Sequence, residues 1–149
     1  MGKNKWLRSH VERCLQDIWG LCRVDMDADR DYPYRVGTAA CWVSVHDFME
    51  PPTVDVFAHA ALGVPRSAKL LTEINELNAA SGVGTFYWSD GTVAVKHSLL
   101  AASVDRKQLR RVCAAVGGAA NHVGGLMAQV FDGSTPFPLD AVTADGAPE

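Results

Sequence analysis

The stretch Val83-Gly-Thr-Phe-Tyr-Trp-Ser-Asp-Gly-Thr-Val-Ala-Val-Lys-His-Ser-Leu99 sets the fold class. Two runs rich in β-branched and aromatic residues, 83–88 and 92–99, flank Ser89-Asp90-Gly91. Asp-Gly between two such runs is the chemistry of a tight hairpin turn, because glycine adopts positive φ at little steric cost. Helical patterns lie on both sides of this hairpin. Upstream, Ser67 is an N-cap, Leu70, Leu71, Ile74, Leu77 and Asn78 form one stripe, and Gly82 closes the segment. Downstream, Asp105 with Gln108 three residues on resembles a capping box that opens a long helix over 106–131. Its apolar side is Leu109, Val112, Cys113, Val116, Ala120, Val123, Met127, Val130 and Phe131, and Gly133 ends it.

Toward the N-terminus, 53–62 alternates Val54, Val56, Ala58 and Ala60 against Asp55, Phe57 and His59. Pro51-Pro52 separates it from 34–48, where Cys41, Val43 and Val45 alternate against Trp42, Ser44 and His46. That earlier stretch reads as one long strand or as two short ones with a turn at 37–40, and the short break predicts antiparallel neighbours. The first segment, 4–22, repeats apolar residues every three or four positions and is an amphipathic helix. The order is helix, an antiparallel three-strand segment, helix, hairpin, long C-terminal helix. This is α+β rather than a βαβ repeat, so a parallel dinucleotide-binding sheet is not expected. Residues 1–133 form one domain, and the small and acidic residues of 134–149 are expected to be a flexible tail.

The chain has 149 residues, 14 basic and 17 acidic, for a formal net charge of −3. That balance excludes a strongly basic nucleic-acid binder, and 48% hydrophobic residues are too many for a disordered chain. No run approaches the roughly 20 apolar residues of a membrane span, and the polar N-terminus leads into no signal-like apolar run. A cytoplasmic location is therefore expected. The four cysteines, at 14, 22, 41 and 113, include no C-x-x-C pair and read as reduced thiols, mostly buried.

Candidate chemistry is thin. Asp25-Met-Asp-Ala-Asp-Arg-Asp31 begins like a calcium loop, but Arg30 and Val36 stand where such a loop needs its turn glycine and its bidentate glutamate. A solvated loop is the expectation. His10 and Cys14 share a helix face, yet two ligands do not make a zinc site. Ser98 adjoins His97 and Cys41 precedes His46 by five, spacings that put each pair on opposite faces of a strand. No catalytic residue, metal or cofactor is expected.

Two features point instead to a partner. Trp42, His46, Phe57, His59 and Tyr87 share the sheet face opposite the valines, a mixture of aromatic and polar groups suited to peptide binding unless a helix covers it. The last helix carries Gly117-Gly118 and Gly124-Gly125, which cost roughly 1 kcal/mol each relative to alanine. They form a small-residue stripe for a dimer contact or for close packing within the chain.

The segment Leu70-Leu-Thr-Glu-Ile-Asn-Glu-Leu-Asn78, then Gly84-Thr-Phe-Tyr-Trp88, the turn at Asp90-Gly91, Val93-Ala-Val-Lys96 and the acidic cap Asp105 resembles the YbjN-like family, related in fold to the type III secretion chaperones. The resemblance spans roughly residues 36–131 and carries no catalytic signature. It implies a non-enzymatic, chaperone-like domain, commonly a homodimer, that holds an extended protein or peptide client. Neither nucleic acid nor membrane is expected as partner, from the charge balance and the lack of a long apolar run. Strand addition at a sheet edge, with aromatic pockets for alternate side chains, is the expected mode. The competing readings are a structural or regulatory homodimer without a client, and a small-ligand enzyme.

Overall fold

In the computed structural model, residues 4–80 and 82–139 are described. Helix α1 spans Lys5–Trp19 and ends earlier than the pattern suggested, because Gly20 turns left-handed at φ 65° and its N–H closes on the Gln16 carbonyl. Of the two readings open for 34–48, the structure has the two short strands, β1 (Tyr32–Val36) and β2 (Ala39–His46), joined by a two-residue turn with Gly37 at φ 57°. Strand β3 covers Thr53–Ala61, α2 Ala68–Ala80, β4 Thr85–Ser89, β5 Thr92–Leu100 and α3 Arg106–Val130. Both helix caps read from sequence are present. Ser67 Oγ accepts from the Leu70 N–H, and Asp105 Oδ1 accepts from the Gln108 N–H.

The strands make one antiparallel sheet in the order β1-β2-β3-β5-β4. The hairpin therefore returns inward: β5 pairs with β3 at the centre, and β4 becomes an edge. Asp90 and Gly91 both take positive φ in its turn, as the Asp-Gly chemistry required. Strand alternation sends the valines to one face, where α3 lies across all the strands but β4, and α1 packs beside it. Leu7, Val11, Leu15, Val43, Val54, Val56, Val93, Val95, Leu109 and Val116 are sealed in this layer. Leu70 and Ile74 are buried as expected, whereas Leu71 turns outward.

Two of the α3 glycines explain how closely that helix sits. A Cβ on Gly124 would lie 2.5 Å from the Ala60 carbonyl oxygen, and one on Gly117 would run into the Val36 side chain. Gly118 and Gly125 face open space. Past α3, the Leu62 and Ser134 backbones exchange two hydrogen bonds, and the Phe137 N–H donates to the Thr38 carbonyl. Of the segment expected to form a tail, residues 134–139 thus lie against the domain, and 140–149 fall outside the described residues.

Candidate functional site

Alternation leaves a second face on the sheet. Register places Trp42, Phe57, Lys96 and Thr85 in one row across it, and Arg35, Ala40, His59, Ala94 and Tyr87 in the next. In the other direction lie Ser44, Asp55 and Ser98, then His46, Thr53 and Leu100. Among the described residues no helix covers this face, and its large side chains are half-buried by one another.

Trp42, Phe57 and His59 form a cluster. The Trp42 and Phe57 rings stack with centroids 5.2 Å apart, and His59 tilts over Trp42 at 4.7 Å and over Phe57 at 6.1 Å. Aromatic pairs at these distances add stability beyond their area and hold the rings in place. Burial among them lowers the His59 pKa, so its imidazole favours the neutral form. Tyr87 shares the His59 row but stands beyond β5, with Ala94 between them. His46 lies two rows from His59's neighbour Trp42, at the far end of the face. The five residues named from sequence share one face, and three of them touch.

Sequence reading missed the polar row beside this cluster. Ser98 Oγ donates to Asp55 Oδ1 at 2.6 Å, His46 Nε2 is 3.1 Å from Asp55 Oδ2, and Lys96 Nζ is 4.0 Å from it. The phase of Asp55 with Phe57 was visible, but the cross-strand register that delivers Ser98 and Lys96 was not. Ser44 Oγ lies 3.4 Å from His46 Nε2, so serine, histidine and aspartate are neighbours here. They are no catalytic triad: serine and carboxylate meet the same ring nitrogen, whereas proton relay needs the two different nitrogens. Cys41 points to the opposite face from His46, and burial pushes its thiol up to about 11 and that of Cys113 to about 12. Both stay protonated at neutral pH and are poor nucleophiles.

The sheet edges differ from the open ladder that strand addition needs. On β4, the Asn78 carboxamide accepts from the Phe86 N–H at 2.8 Å and donates to the Phe86 carbonyl at 3.0 Å, taking the place of one peptide group of a further strand. The Trp88 indole donates to the Val64 carbonyl beside it. On the other edge, β1 contains Pro33, which has no N–H to give. Away from the sheet, Leu77, Val123, Leu126, Met127, Val130 and Phe131 line an apolar groove of about 170 Å³ between α2 and α3.

A family model described as T3SS (YopN, CesT) and YbjN peptide-binding chaperone 1 (TY-Chap1) matches residues 5–139. No curated protein matches the sequence. Among solved structures, a chain of the ExsC–ExsE complex superposes with a TM-score of 0.65 at 12% identity, over 85% of this chain and 97% of that one. A chain of the HopA1–SchA chaperone–effector complex gives 0.62 at 10% identity, over 80% and 93%. At these identities the likeness is one of fold.

Proposed function

We propose, from the premise that this chain belongs to the T3SS (YopN, CesT) and YbjN peptide-binding chaperone family, that it holds an extended client segment against the outer face of its sheet. The observation that carries this reading is the stacked Trp42–Phe57–His59 cluster on a face over which no described helix lies. Rigid aromatic anchors contribute contact area at low entropic cost, which suits them to transient covering by a partner. Tyr87 and His46 extend the contact to the two ends of the face. The segment lies on the face of the sheet rather than at its edge, since Asn78 occupies the Phe86 groups of one edge and Pro33 interrupts the other. The protein acts without catalysis, in the cytoplasm, as a homodimer.

Affinity capture with the wild-type chain and with the Trp42→Ala/Phe57→Ala double variant tests the reading. The expected result is a recurrent client, identified by mass spectrometry, that the double variant loses while circular dichroism shows an intact fold. Equal recovery by both proteins would remove the sheet face from the mechanism. One observation favours a second reading, a structural homodimer without a client. The α2–α3 groove leaves Leu126 at 65% and Val130 at 49% exposure, and a second copy would cover them. Light scattering that shows a dimer broken by Leu126→Arg, with no client recovered by the wild type, would support this reading over the first.

A further inference from the structure

The outer face has an apolar patch at its middle, a polar row beside it, and an apolar residue beyond. Trp42 and Phe57 make the first, Ser44, Asp55 and Ser98 the second, and Leu100, 54% exposed, stands in the third with His46 and Thr53. Successive rows are two residues apart along each strand, about 6.7 Å, the same repeat as same-side residues of an extended peptide. Such a peptide running along β3 sets residue i over the aromatics, i+2 over Asp55 and i+4 over Leu100.

Asp55 decides what i+2 can be. It lies on the central strand with its side chain only 14% exposed, its carboxylate fixed by Ser98 at 2.6 Å and His46 at 3.1 Å. Its lysine neighbour is less committed: Lys96 stands 4.0 Å away on a flexible side chain that is 47% exposed. Arg35, the other cation of the face, is at the far edge with its guanidinium 4.1 Å from the Phe137 ring centroid. A covering segment strips the remaining water from the carboxylate. An apolar side chain there leaves that loss uncompensated, and an acidic one adds repulsion. A lysine or arginine supplies charge and donors at the fixed carboxylate, while Lys96 has room to swing outward.

We infer that this face selects extended segments with a basic residue flanked, two positions away on either side, by aromatic or aliphatic residues, and that Asp55 is the specificity-determining residue. The inference rests on the sheet face being the client site. Its probes are synthetic peptides of sequence Ser-Thr-Phe-Thr-X-Thr-Leu-Thr-Ser, with X lysine, serine, leucine or glutamate, and binding is followed by calorimetry. Lysine is expected to bind about tenfold tighter than glutamate at low salt, the contrast of one attractive against one repulsive pair. Asp55→Asn, which keeps the shape, should bring lysine and glutamate within about twofold of each other, and added salt should narrow the gap in the wild type without any mutation. Equal affinities for lysine and glutamate in the wild type, or a gap that survives both Asp55→Asn and salt, overturn the role of Asp55. The face itself is judged separately by Trp42→Ala, which should weaken all four peptides. If it weakens none, or if no peptide binds by about 1 mM, the face reading falls and the inference with it.

Discussion

At the scale of single residues, His59 and the glycines of α3 show how environment gives one residue type different roles. The His59 pKa is lowered by burial against Trp42 and Phe57, so the unfolded chain takes up a proton more readily than the folded one. The sign follows: its contribution is fully present above the ordinary histidine pKa of about 6.5 and is lost as pH falls through the lower folded value. Urea midpoints should therefore drop between about pH 7 and pH 5, and His59→Gln should flatten part of that slope. An unchanged slope would show that the ring is not shielded. Among the glycines, Gly124→Ala meets the Ala60 carbonyl and should cost about 1–3 kcal/mol, measured by chemical denaturation. Gly125→Ala, facing open space one residue later, should gain about 0.5–1 kcal/mol. The four-glycine pattern was legible in the sequence. Which two pack on the domain's own sheet was not, because that depends on where the helix axis meets β1 and β3.

At the scale of elements, helix caps and strand phases were readable because they depend on neighbours a few residues away. Ser67, Asp105 and the Asp90-Gly91 turn behave as their local chemistry requires. The two-residue turn at Gly37 resolved an ambiguity that composition left open between one strand and two. What α2 does for the sheet was not readable at this range. Asn78 is eight residues from Phe86, yet its carboxamide satisfies both backbone groups of that residue and shields an edge that would otherwise pair with another chain. Asn78→Ala should lower stability by about 1–2 kcal/mol and make apparent mass rise with protein concentration in light scattering. Asn78→Asp, which still accepts from the Phe86 N–H, should fall between the two. A strictly monodisperse Asn78→Ala protein would mean that the edge is closed by α2 itself rather than by the amide.

At the scale of the whole molecule, the two faces of one sheet divide the labour. The valine face is consumed by α3 and α1, and the opposite face carries an aromatic patch and a fixed carboxylate, the surface proposed above for a client. Exposed apolar side chains also lie away from that face, with Leu126 and Val130 in the α2–α3 groove among them. Family membership supplies the peptide-binding premise, and capture by wild-type and double-variant protein is the measurement that joins this face to a client. By itself the sequence determined the α+β class, the helix caps, the hairpin turn and the common phase of Trp42, Phe57 and His59, since each follows from periodicity and local hydrogen bonding. Only the tertiary structure decided that β5 lies between β3 and β4, that Ser98 and Lys96 meet Asp55, and that two glycines face inward. Those contacts join residues far apart in the chain, and their geometry is set by how sheet and helices pack rather than by any spacing along it.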